Sequence, residues 1–279
     1  MVSFDVKSLY TNVPVKETIE ICIRKLFRDP AQRVMGFTQQ QYRKLLELAT
    51  TDSSFIFNGA LYEQTDGLAM GNPIAPVLAN IFMSDLETSY MQNCPADFRP
   101  ILYNRYIDDT FVVFSHREQA TNFLNFINAK HNNIEFTMDC EDNRQLPFLD
   151  VLVQRSDDET RDVATSPFTS SIYRKPTYSG LGTSFYSFSP IAFKINAIKT
   201  LIHRAYNLSS SLNLFHLELE FLRNYFFSNG YPRFLFDKHV NQYLTKLFDP
   251  SVSAHAYDVP KLSLYVKLPY FDEMSGQLV

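Results

Sequence analysis

Tryptophan is absent from this chain of 279 residues, and cysteine occurs only as Cys22, Cys94 and Cys140. An odd number of cysteines with no CxxC pair supports neither a disulfide framework nor a zinc site, and suits a reducing compartment. No run of about 18 apolar residues occurs, so no membrane span is expected. The opening MVSFDVKSLY lacks a basic n-region and an apolar h-region, so it does not read as a secretory signal. An intracellular protein, nuclear or cytoplasmic, is expected. Internal repeats and low-complexity tracts are missing as well.

What is present is globular composition, 45% hydrophobic and 20% charged, with 25 Phe and 16 Tyr. The length allows a real core and two structural units. The net charge of −4 argues superficially against a nucleic-acid partner. Its distribution argues otherwise: residues 1–171 hold 15 Lys and Arg against 23 Asp and Glu, while residues 172–246 hold 9 against 3. An acidic centre beside a phosphate-contacting surface would give this asymmetry. On charge alone, a solvated charged face explains it equally well.

The pattern alternates irregularly. SFDV reads as a strand end, and Pro14 begins a helix over about 15–28 with Ile19, Ile23, Leu26 and Phe27 as its buried stripe. A second helix is expected over 38–50. SFIFNGALYEQ is a hairpin turning at Asn58-Gly59. DGLAMGNPIAP is a Gly/Pro loop running into a helix over 74–92, and ILYNRYIDDTFVVFS is two strands turning at Asp108-Asp109. After another helix, IEFTMD and LPFLDVLVQ read as strands separated by Glu141-Asp142-Asn143. From about 190 the chain reads helical, with Gly230 placed as a C′ residue. Hairpins without regular βα alternation indicate an α+β fold with an antiparallel sheet.

Adjacent carboxylates at an apolar turn repel each other and are poor choices without a cation. A type I′ turn exploiting the left-handed tolerance of Asp is the competing explanation, and for an isolated Asp-Asp it is the better one. Neighbouring features reverse that preference. FDVKSLY, GLAMGNPIAP and YIDD resemble motifs A, B and C of reverse transcriptases, in that order. FxFNGxxYxQxxGLAMGNP, RYIDDTF, LPFLDVLV and YRKPT narrow the resemblance to Penelope-like retroelement polymerases.

The resemblance implies a palm and a role for each matched residue. Asp5, Asp108 and Asp109 would be catalytic and bind two Mg²⁺ ions, with Mn²⁺ as substitute and the Val6 carbonyl completing the coordination. Two-metal nucleotidyl transfer places such ions about 3.5–4 Å apart. Asp109 would play the weaker part, because successive strand residues face opposite ways. Tyr10 would be the steric gate against a ribose 2′-hydroxyl. Gly67, Met70, Gly71, Asn72 and Pro73 would form the nucleotide floor, the glycines allowing close backbone approach. Ala75 departs from the usual Ser of the family. Phe148 would belong to the primer-grip region, although Phe148, Leu149 and Val151 read as core more than as contacts. Tyr173, Arg174, Lys175, Lys194, Lys199 and Arg204 would contact nucleic acid. The general acid is not identified; Lys130 is a weak match.

On this basis the palm is expected over 1–155, a linker and basic hairpin over 156–189, a helical thumb or connector over 190–248, and a tail over 249–279. RNA template, DNA primer and deoxynucleoside triphosphates are the expected partners. The fingers before motif A and the GIY-YIG endonuclease of the family are not seen, so a fragment is expected. Two alternatives stay open: a non-catalytic nucleic-acid-binding descendant, and an RNA-dependent RNA polymerase, which Tyr10 disfavours.

Overall fold

The computed structural model describes residues 1–29, 31–51, 54–155 and 168–248. The expected tail and most of the polar stretch 155–171 lie outside them. The chain forms two compact units, Met1–Pro176 with Leu208–Ser211, and Thr177–Asn207 with the chain from Leu212.

The first unit is built on β1 (Val2–Val6), whose alternation buries Val2, Phe4 and Val6 and leaves Asp5 exposed. The short α1 (Leu9–Asn12) leads to α2 (Val15–Leu26), which buries Ile19 and Ile23. Pro14 caps α2, where its missing N–H costs nothing. α3 (Gln39–Thr50) starts with a capping box between Thr38 and Gln41. β2 (Ser54–Phe57) and β3 (Ala60–Glu63) form a separate hairpin closed by Asn58 and Gly59. α4 (Ala75–Gln92) has Pro76 in its first turn, and the Asn72 side chain accepts from the Ile74 N–H just ahead of it.

β4 (Leu102–Tyr106) and β5 (Asp109–Val113) follow, then α5 (Arg117–Asn128) and β6 (Phe136–Cys140). The antiparallel sheet runs in the order β4-β5-β1-β6. One face carries Phe4 and Val112, packed with Phe123 of α5 and with Phe82, Met83 and Tyr90 of α4 into the core. Truncating one such phenylalanine to alanine costs about 3–5 kcal/mol.

LPFLDVLVQ is not one strand. It folds as β7 (Gln145–Phe148) and β8 (Val151–Arg155) around Leu149-Asp150, and β9 (Phe168–Ile172) completes a second antiparallel sheet. Leu149, expected in the core, stands 41% exposed at the turn with φ 54°. The alternation of LPFLDVLV does not reveal the turn, because Leu149 is a residue that ordinarily avoids this φ.

The second unit consists of α6 (Ile191–Leu208, its last residue falling in the first unit), α7 (Leu212–Ser228) and α8 (Arg233–Phe248) around Phe226, whose ring meets Tyr231 and Phe236. Gly230, at φ 84°, ends α7 in a Schellman motif: the Tyr231 N–H donates to the Phe226 carbonyl and the Gly230 N–H to that of Phe227. The fold is α+β, as the sequence indicates.

Candidate active site

The β4–β5 hairpin is closed by Ile107 and Asp108, with Tyr106 paired to Asp109. The expected turn at Asp108-Asp109 is thus one residue earlier, and Asp109 is the first residue of β5. The reason is the core: Thr110 and Val112 must face it opposite Arg105 and Tyr103, which fixes the register. Asp109 and Phe111 then share the open face of the sheet with Ser3 and Asp5. Asp108 stands in the turn, so strand alternation does not turn it away from Asp109.

Left-handed φ occurs at Ile107 (59°) and not at Asp108. This is the pattern of a type II′ turn, whose first central position ordinarily holds glycine. The tolerance of Asp for left-handed φ is not used, so turn chemistry does not account for the Asp-Asp pair.

The carboxylates act on one another. Burial and the neighbouring Asp108 and Asp139 push the Asp5 carboxyl above its ordinary value. Burial, Asp108 and Asp5 do the same to Asp109. Lys175, exposed just past β9, opposes both rises. Odd residues of β1 bond toward β6, as Lys7 N–H to Glu135 O at 2.9 Å and Glu141 N–H to Met1 O at 3.0 Å show. Even residues therefore bond toward β5. The β5 ladder ends at Phe4↔Thr110, which leaves the Val6 carbonyl directed past it, toward the Ile107-Asp108 turn.

Motifs A and B meet backbone to backbone. The Leu68 N–H donates to the Tyr10 carbonyl at 2.7 Å, and a Cβ on Gly67, which has φ +79°, would lie 2.5 Å from the Thr11 carbonyl oxygen. Gly67 is the glycine that close approach requires. Gly71 is not: a Cβ there meets nothing within 4 Å and its φ is not positive. Tyr10 is half-buried, Pro73 is exposed and Met70 is 75% exposed. Asn72 spends its amide on the Ala49 carbonyl and on the start of α4. Ala75 is fully buried, which favours its small apolar side chain.

Phe148 packs its ring against Phe111 at 5.5 Å, tying the β7–β9 sheet to the open face. Tyr173 donates its backbone N–H to the Asp150 carbonyl, and Tyr173 and Arg174 are half-buried. Lys130 holds its ammonium over the Phe126 ring. In the second unit, Lys194 does not present its charge to solvent: it is 7% exposed and its amine donates to the Ser187 carbonyl at 2.7 Å. The helical period brings its stem onto the buried face with Ile198 and Ile202, which the sequence reading overlooked. Lys199 and Arg204 are exposed. Lys199 lines a groove of about 1190 Å³ with His203, Lys238 and Lys246, the last two contributed by α8 and not anticipated. Their spacing of eight residues on one helix was the signal.

Among the described residues, no three His, Cys, Asp or Glu side chains stand close enough to make a ready metal cage. The donors nonetheless fit a hard cation: they are carboxylates and a carbonyl, mutually repelling, and Mg²⁺ characteristically takes part of its shell from water and substrate phosphate. The described residues include no helix long and apolar enough to cross a membrane.

The chain is similar in fold to a solved telomerase structure. Telomerase from Candida albicans, in complex with a fragment of telomeric RNA, aligns with TM-score 0.58 and 13% identity over 86% of this chain and 43% of its own. Apo telomerase from Candida tropicalis aligns with TM-score 0.49 and 9% identity over 91% of this chain and 43% of its own. A version of that enzyme truncated from its C-terminal domain gives TM-score 0.42 and 12% identity over 55% of this chain and 33% of its own. This chain thus spans less than half the length of these proteins. No curated protein matches the sequence. Residues 183–241 match the animal helix-turn-helix domain. Residues 1–141, half of the chain, match the reverse transcriptase (RNA-dependent DNA polymerase) family, and the chain belongs to that family.

Proposed function

We propose that the chain is the palm and thumb-like part of a Penelope-like retroelement polymerase, extending a DNA primer on an RNA template. The observation that carries this reading is the gathering of Asp5, Asp108 and Asp109 at one end of the open sheet face, with burial and like charge raising Asp5 and Asp109. The long motifs FDVKSLYTNVPV, GLAMGNP, RYIDDTF and YRKPT support the Penelope-like assignment.

Asp5, Asp108 and the Val6 carbonyl would hold two Mg²⁺ ions, with Asp109 beside them. Bound there, the ions would supply Lewis-acid activation of the primer hydroxyl and charge stabilisation of the leaving phosphates. The side chains do the rest. Tyr10, locked to the motif B loop through Leu68, would exclude a 2′-hydroxyl. Gly67 lets that loop lie against Thr11 and form the floor under the incoming base. Lys175 offers a cation to substrate phosphate near the carboxylates. Lys199, Lys238 and Lys246 would meet duplex phosphates.

The test is primer extension on an RNA template with Mg²⁺ or Mn²⁺, comparing the chain with Asp108→Ala/Asp109→Ala. Activity abolished in the variant is expected. A second reading, nucleic-acid binding without catalysis, is favoured by the helix-turn-helix match. Duplex binding with no extension by either protein would decide for it.

A further inference from the structure

Arg105 lies on the side of β4 opposite the carboxylates. It pairs across the hairpin with Thr110, which faces the core, and its side chain is 9% exposed. It therefore has no route to substrate. Its guanidinium is instead bonded to two elements, through all three of its nitrogens. Nε donates to Glu87 Oε1 at 2.6 Å, and Nη2 to Asn80 Oδ1 at 3.0 Å and Ser84 Oγ at 3.3 Å. Asn80, Ser84 and Glu87 are spaced i, i+4 and i+7, so they form one stripe of α4, the helix that begins at the motif B loop. The remaining arm, Nη1, donates at 2.8 Å to the carbonyl of Ile107.

That carbonyl belongs to the central peptide of the two-residue turn. Turning this peptide over interconverts type II′ and type I′, and with it the φ of the second central residue, Asp108. Local preference favours the type I′ form here. Asp accepts left-handed φ, whereas a β-branched residue at the first position of a II′ turn is strained. Yet the chain adopts the form with positive φ at Ile107 alone. A charge-assisted hydrogen bond to the carbonyl at issue, from an arginine anchored on α4, is what opposes the local preference.

We propose that Arg105 is a positioning residue that selects the turn type, and thereby aims Asp108 at Asp5, by anchoring the Ile107 carbonyl to the motif B helix. This rests on the reading of the carboxylates as a cation site. Arg is needed rather than Lys, because only a planar fork can hold Glu87, Asn80 and Ile107 at once.

The experiment is a Mn²⁺ titration of the full chain, read by electron paramagnetic resonance of free Mn²⁺, with thermal unfolding alongside. Asp108→Ala reports on the site itself: wild-type affinity in that variant, or no binding by the parent, would overturn the cation site and this proposal together. With the site established, Arg105→Gln and Arg105→Lys are expected to bind Mn²⁺ about tenfold more weakly, in the range for loss of a group supporting a metal ligand. Ile107→Gly added to Arg105→Gln is the decisive variant. Glycine adopts the II′ position without strain, so Mn²⁺ affinity returns toward the parent value although the stability lost with Arg105 does not. Parent-like affinity in Arg105→Gln beside a defective Asp108→Ala would overturn the positioning role while leaving the site. So would a double variant that stays as weak as Arg105→Gln.

Discussion

Two of the hairpins in the first unit, β2–β3 and β4–β5, are each closed by two residues, and they are closed differently. β2–β3 turns on Asn58 and Gly59, with φ 49° and 78°, the pair that a type I′ turn asks for. Phe55, Ile56 and Phe57 on that hairpin are all exposed, and the turn stands on its own local chemistry. β4–β5 turns on Ile107 and Asp108, against local preference, and is held by Arg105 and α4. One turn is specified by its two residues. The other is held by Arg105, itself anchored on α4 residues some twenty positions earlier, and it is the one that carries a carboxylate.

The sharpest way to break this comparison is to alter each turn and measure primer extension. Asp108→Ala is expected to lower the rate by more than about 100-fold, beyond what loss of a supporting contact costs. Asn58→Ala should leave it within about twofold, since that turn supports nothing at the carboxylates. Glycines give the next contrast. Gly67→Ala places a Cβ against Thr11 at a left-handed φ, and unfolding measurements should show a loss of about 3 kcal/mol. Gly59→Ala carries the left-handed penalty without the clash and should cost about 1 kcal/mol. Ile107→Gly, by relieving strain in the braced turn, should stabilise the metal-free chain, by less than about 1 kcal/mol after the entropic cost of glycine.

The smallest effect is a pH dependence. The Asp109 carboxyl is raised in the folded chain, by burial first and then by Asp108 and Asp5. Between its unfolded and folded values the folded chain binds more protons, so stability falls as pH rises through that window. Without metal, Asp109→Asn should therefore melt slightly higher than the parent at neutral pH, and the difference should vanish on acidification. Asp85 gives the opposite sign. Burial alone would raise it, but Arg24 at 2.7 Å and Lys25 at 3.2 Å hold it below its ordinary value. Its contribution is present at neutral pH and lost as pH falls through the lowered value. Asp85→Asn should flatten the acid limb of the stability curve.

What was legible in the sequence was what neighbours in the chain decide. Asn58-Gly59 and the helix-ending Gly230 are each set within a few residues, and each stands where the pattern puts it. The order of the three motifs was legible because each is a contiguous block. The one-residue error at Asp108-Asp109 came from judging a turn by its own composition, when the burial of Thr110 and Val112 set its place. Leu149 misled for the same reason. Lys194 misled because its charge was counted and its helical phase was not. Lys238 and Lys246 were passed over because their groove exists only once α6 and α8 pack.

The position of β1 has a kinetic consequence. Phe4 pairs with Thr110 on one side and Met138 on the other, so the central strand of the sheet is bonded only to partners more than a hundred residues away. Closing loops of that size comes before any reward from pairing, and topologies dominated by such contacts fold slowly. The helices α2 and α4 can pack early, but Asp5 meets Asp108 only after both long loops have closed. The acidic centre is thus a late product of folding, and a chain stalled before that step would keep its helices while lacking a site.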